Sequence, residues 1–201
     1  MIILDLETTG TDPQKHAIID LAAMDFDNPS YVFHQPVRIF SKAEIQDEAL
    51  AYNGFTLEEI KDPKRPSLQQ VLSAFISWLE PIKDRTFAGQ NPDFDVNFLE
   101  TALKHCQFEI PLSHRKLDQH TLAYTAFLKL NKDIPLDETT KQSLLNSDAI
   151  MEFVGLPPEP KPHHSALNGV LWEAEAFSRL IYGKNLLPRF RSYKLPTYLK
   201  K

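Results

Sequence analysis

Asp5 and Glu7 stand two residues apart at the end of the first apolar run, followed directly by Thr8-Thr9-Gly10. Met1 to Leu4 have the aliphatic, β-branched character of a buried strand, which the Thr-Thr-Gly turn signal closes. Side chains alternate faces along a strand, so the two carboxylates project from one side with Leu6 opposite. Acids so placed repel each other unless a cation lies between them, and hard divalent ions such as Mg²⁺ or Mn²⁺ take oxygen ligands. An ordinary strand end with solvated acids fits the same spacing. A second acidic segment is Gln90-Asn91-Pro92-Asp93-Phe94-Asp95, with Phe98 and Leu99 beyond it. Asp95 falls near a helix start, where the dipole favours a carboxylate whether or not it has a function. A third segment, His163-His164-Ser165-Ala166, follows a proline-rich connector. A histidine there could take a proton near neutral pH, although a surface histidine is the plainer reading.

The elements that would position these groups alternate in type. Ala17 to Phe26 and Tyr31 to Phe40 read as a second and third strand, making an antiparallel meander with the first. Lys42 to Tyr52 reads as a short helix stopped by Asn53-Gly54. Leu68, Val71, Leu72, Phe75, Ile76 and Leu79 form one helical stripe behind Ser67, an expected N-cap. Strands are expected near 85–88 and 115–117, each feeding a helix, at about 93–106 and 118–130. Residues 131–140 read as a loop and 142–154 as helix. The prolines at 157, 158, 160 and 162 exclude helix and imply an extended connector. A last helix carries Leu167, Val170, Leu171, Ala174, Phe177 and Ile181 as its stripe. The fold class implied is α/β: a mixed sheet, antiparallel first and then parallel, flanked by helices.

The chain has 201 residues, 42% hydrophobic and 24% charged, ordinary for one globular domain with a sizeable core. No apolar run approaches the roughly 18 residues a membrane span needs, and no signal peptide is read at the start. Cys106 is the single cysteine, which excludes an internal disulfide and points to a reducing, cytoplasmic setting. The net charge of −5 does not advertise nucleic-acid binding, but its distribution is uneven. Lys184, Arg189, Arg191, Lys194, Lys200 and Lys201 occupy the end of the chain with no acid among them. The reading is a domain over 1–183 and a basic C-terminal tail over 184–201. With Phe190, Tyr193 and Tyr198 interleaved, that tail could follow a phosphate backbone or stay solvated.

The three segments, in this order and at this separation, resemble the DEDDh 3′–5′ exonucleases, the proofreading-exonuclease superfamily with an RNase H-like fold. The first family motif, Asp-x-Glu-Thr-x-Gly, is matched by Asp5, Glu7, Thr8 and Gly10; the second by Asn91, Phe94, Asp95, Phe98 and Leu99; the third by His164 and Ala166. Weaker agreement lies in Ile18 to Ala23, in Asn53-Gly54-Phe55-Thr56 and in Leu117-Asp118. The resemblance implies 3′–5′ hydrolysis of single-stranded DNA or RNA, DNA mildly preferred, by two Mg²⁺ or Mn²⁺ ions roughly 3.5–4 Å apart, releasing nucleoside monophosphates. It implies Asp5, Glu7 and Asp95 as metal ligands, with Asp5 bridging both ions, and His164 as general base. It also implies that the backbone around Thr8, Thr9 and Gly10 holds the 3′-terminal nucleotide, and that a polymerase or similar protein is an eligible partner.

One position departs from the pattern. The fourth family carboxylate belongs five residues after the histidine, where this chain has Gly169. Three readings follow: Glu173, one helical turn on, substitutes; solvent completes a shell held by three acids; or the domain has lost catalysis and only binds nucleic acid or a partner. Glu175 points about 120° away and is the poorer substitute.

Overall fold

The opening apolar run forms β1 (Ile2–Thr8), the middle strand of a five-stranded sheet in the computed structural model, which describes residues 1–160 and 165–200. β2 (Ile18–Asp25) and β3 (Val32–Pro36) pair antiparallel on one side of it. The short β4 (Phe87–Gly89) and β5 (Lys116–Asp118) lie parallel on the other, giving the order β3-β2-β1-β4-β5. This is the mixed α/β sheet that the sequence implies. The third strand is shorter than the expected 31–40. After Pro36 the chain turns away, and the Arg38 N–H bonds to Pro66 O.

Strand alternation divides the core in two. Ile2, Leu4 and Leu6 face α3 (Leu68–Leu79) and α4 (Pro92–His105), packing with Val71, Phe75 and Phe98. Met1 and Ile3 face the other way, toward Val170, Ala174 and Phe177 of α7 (Ala166–Tyr182). Asp5 and Glu7 continue that second face, so the period of two aims both acids at α7. α5 (Gln119–Lys129) and α6 (Ser147–Phe153) pack against α7 and each other.

Local chemistry sets the helix ends. Ser67 accepts from the Gln70 N–H in a capping box, and Asp118 caps α5 through the His120 and Thr121 N–H groups. α1 (Asp47–Asn53) starts later than the expected Lys42, because Glu44 bridges to His16 in extended backbone. α2 (Leu57–Lys61), set by a Thr56–Glu59 capping box, was not foreseen. Helix over 142–154 shrinks to α6, since Gln142 O accepts from the Asp137 N–H and Ser143 bridges to Leu136.

Residues 184–200, read from the sequence as a tail, fold back over α7 through two short 3-10 turns, Pro188–Phe190 and Thr197–Leu199. Leu187, Phe190 and Leu199 are buried there, and the Phe190 ring meets Trp172 edge-on at 4.7 Å. The wholly buried Arg179 ties the segment down: Nε donates to Glu175 at 2.9 Å, and Nη2 to the carbonyls of Phe190 and Tyr193. Glu175 also accepts from the Leu186 and Leu187 N–H groups. Among the described residues no helix is long and apolar enough to cross a membrane.

Candidate active site

β1 outruns its parallel neighbour, since the last β1–β4 pairing is Ile3 with Ala88. The N–H of Leu6 therefore has no strand partner, and Asp95 Oδ1 accepts from it at 3.0 Å. Asp95 is carried there by α4, whose start is set by Asn91 in left-handed backbone and Pro92 at the first helical position. The crevice lies at the carboxyl end of the sheet, where the chain departs to either side of β1, the usual place for ligands in open α/β sheets.

A cavity of about 520 Å³ opens at this point, lined among others by Asp5, Glu7, Asp95, Glu159, Gly169 and Glu173. Thr8 and Gly10 also line it. The Thr8 Oγ1 donates to Gly10 O at 2.7 Å, and Asn53 Nδ2 donates to Thr8 O at 3.1 Å, which fixes the turn. Gly10 lies so close to the His16 ring that a Cβ there would come within 2.5 Å of it. The Thr9 side chain points into the protein instead, donating to Glu44 O and accepting from the Ala17 N–H. His164 lies outside the described residues. The helix that follows it is pinned: Ser165 caps α7, and the Ala166 N–H donates to Asp20 Oδ2, whose carboxylate also pairs with His34.

The acids of the cavity resist ionisation. Burial raises Asp5 well above the usual carboxylate range, and Asp95, Glu173 and Glu7 push it further. Burial, then the charges of Glu159, Asp20 and Asp95, lift Glu7 to about 8. Burial takes Asp95 to about 8 despite the Leu6 N–H bond that favours its anion. Glu173 is raised by burial first and Asp95 second. An all-oxygen donor set with mutually repelling charges fits a hard divalent cation. Among the described residues, however, no three His, Cys, Asp or Glu side chains already stand in an arrangement that could hold one. Asp5 lies against Gly169: a Cβ at 169 would overlap its Oδ2 and lie 2.7 Å from its Cγ. The Asp5 carboxylate occupies the room that a side chain at position 169 would need.

Asp5, Glu7 and Asp95, the acids singled out in the sequence, line one cavity, and so does Glu173, the candidate substitute for position 169. Sequence reasoning missed Glu159, a lone acid in the proline-rich connector, for which no periodic signal exists. It also missed Asn53, which read as a helix stop and additionally secures the Thr8 carbonyl.

A family model described as an exonuclease matches residues 2–177. The DNA polymerase III PolC-type of Thermotoga maritima is 28% identical over 180 residues, which make up 90% of this chain but 12% of that protein. Ribonuclease T of Yersinia pseudotuberculosis is 25% identical over 214 residues, covering 98% of this chain and 89% of that protein. The nuclease domain of 3′hExo, a DEDDh family member bound to rAMP, shares the fold with a TM-score of 0.67 at 17% identity over 92% of each chain. With the family model spanning β1 to α7, the chain belongs to the DEDDh exonuclease family.

Proposed function

We propose that this chain is a 3′–5′ exonuclease that shortens single-stranded nucleic acid, DNA somewhat in preference to RNA, and releases nucleoside monophosphates. The family generally uses divalent metal ions. The observation that carries the reading is the meeting of Asp5, Glu7 and Asp95, from positions 90 residues apart in sequence, in one cavity at the carboxyl end of the sheet.

In this reading Asp5, Glu7 and Asp95 would hold two Mg²⁺ or Mn²⁺ ions. Bound there, such ions supply a nucleophilic water at neutral pH and offset charge on the leaving oxygen. His164 would serve as the general base for the attacking water. The Thr8–Gly10 turn, braced by Asn53, orients the terminal sugar and phosphate, and Asp95 keeps the β1 backbone in place through Leu6. Contacts of this kind read backbone rather than base edges, so sequence selectivity is slight. The chain's likeness to a segment of a DNA polymerase III PolC-type protein supports a polymerase or another nucleic-acid-processing protein as partner. The free thiol of Cys106 suits a reducing cytoplasm.

One observation favours a second reading, a domain that binds strands or a partner without cleaving: Gly169 offers no carboxylate where the family pattern has one. Digestion of a 5′-labelled single strand separates the two. The exonuclease gives a ladder shortening from the 3′ end with Mg²⁺ or Mn²⁺, leaves circular single strands intact, and loses activity in Asp5→Ala. A parent as inert as Asp5→Ala would establish the binding module.

A further inference from the structure

α7 carries two buried glutamates two residues apart, and they are treated oppositely. Glu175 is fully partnered: Oε1 accepts from Arg179 Nε at 2.9 Å, and Oε2 from the N–H groups of Leu186 and Leu187 at 2.9 and 2.8 Å. Glu173, 6% exposed, is half partnered. Its Oε1 accepts from the Gln90 N–H at 3.0 Å, whereas its buried Oε2 has no hydrogen-bond partner among the described residues. No described lysine or arginine forms an ion pair with it. A buried carboxylate oxygen left without a donor is costly, and this one belongs to a residue lining the cavity with Asp5, Glu7 and Asp95.

The surroundings leave room for that oxygen. A Cβ on Gly89 would come within 3.2 Å of Glu173 Oε2 and 3.1 Å of Leu4 O, so glycine at the end of β4 keeps the slot open. One turn earlier on the same face of α7, Gly169 presents bare backbone to Asp5. Helical side chains lean toward the amino end of their helix, which directs position 173 back toward 169. The longer glutamate thus offers a carboxylate from one turn away, where position 169 has none.

We infer that Glu173 is a divalent-cation ligand of this site, its unpartnered Oε2 supplying the oxygen that Gly169 cannot, while Oε1 holds the β4–α4 turn through Gln90. The inference rests on the metal-dependent reading of the site proposed above, and it moves one ligand along α7 by a turn, about 6 Å. The rival role is that of a strut that only braces Gln90, and an amide separates the two because it keeps the accepting oxygen and loses the charge.

The test is Mn²⁺ binding without substrate, read by electron paramagnetic resonance of the free ion. Parent, Asp5→Ala, Glu173→Gln and Glu173→Met are compared, each with its metal-free melting temperature. The expected result is at least a tenfold loss of Mn²⁺ affinity in both Glu173 variants, with Glu173→Gln melting no lower than the parent. Parent-like affinity in Glu173→Gln, with loss confined to Glu173→Met, would make the residue a strut and overturn the inference while leaving the exonuclease reading intact. A parent that binds no more Mn²⁺ than Asp5→Ala would overturn both.

Discussion

Asp95 does two jobs that substitution can separate. Its Oδ1 accepts from the Leu6 N–H, and its charge belongs to the cavity. Asp95→Asn keeps an acceptor, so it should melt close to the parent yet lose at least a hundredfold in cleavage rate. Asp95→Ala should lose the same activity and also about 1–3 kcal/mol of stability in denaturant titration, because a buried N–H is left without a partner. Gly169→Ala should act differently. Alanine gains about 1 kcal/mol of helix propensity over glycine, but its Cβ would displace the Asp5 carboxylate. Nearly unchanged melting with clearly weakened Mn²⁺ binding is the expected pair of results. These residues also show what a sequence can carry. Asp5 and Glu7 were legible because a strand's period of two fixes their common face. The environment of Glu173 was not, because it depends on Gly89 and Gln90, 84 and 83 residues away, and on no local pattern.

Elements whose ends are set locally could be read in advance. Ser67 and Asp118 each satisfy N–H groups within the next few residues, so α3 and α5 begin where the sequence indicates. Elements decided by distant pairing could not: the stretch before α1 is held extended by His16, and the stretch before α6 by residues of the preceding loop. The last segment is the clearest case. Its charges suggest a free tail, but Leu187, Phe190 and Leu199 have cores to enter, and Arg179 supplies donors to backbone carbonyls that no sequence pattern reveals. Arg179→Leu should leave Glu175 buried without its cation, at a cost of about 3–5 kcal/mol. Limited proteolysis should then cut within 184–200 in the variant under conditions that spare the parent. Equal resistance would show that the segment holds without the Arg179 knot.

At the scale of the molecule, the acidic cavity should make stability depend on pH in an unusual direction. Glu7 and Asp95 titrate at about 8 in the folded protein, against 4.5 and 3.8 as ordinary carboxyl groups. Between those limits the folded state holds protons that the unfolded chain has released, so folding stability falls as pH rises from about 4 to about 8. Melting in EDTA should follow that course. A divalent ion competes with the same protons and binds only the folded form, so the rise in melting temperature with Mn²⁺ should grow from pH 5 to pH 8. Metal-free stability that increases over this range would mean that burial does not hold the cavity acids neutral.

The convergence of Asp5, Glu7 and Asp95 on divalent cations is tested most directly by anomalous scattering from crystals grown with Mn²⁺ and a nucleoside monophosphate. Two manganese peaks are expected in the cavity between β1 and the start of α4, within coordination distance of these three carboxylates. An empty cavity at saturating manganese, with the nucleotide bound, would contradict the metal-dependent reading.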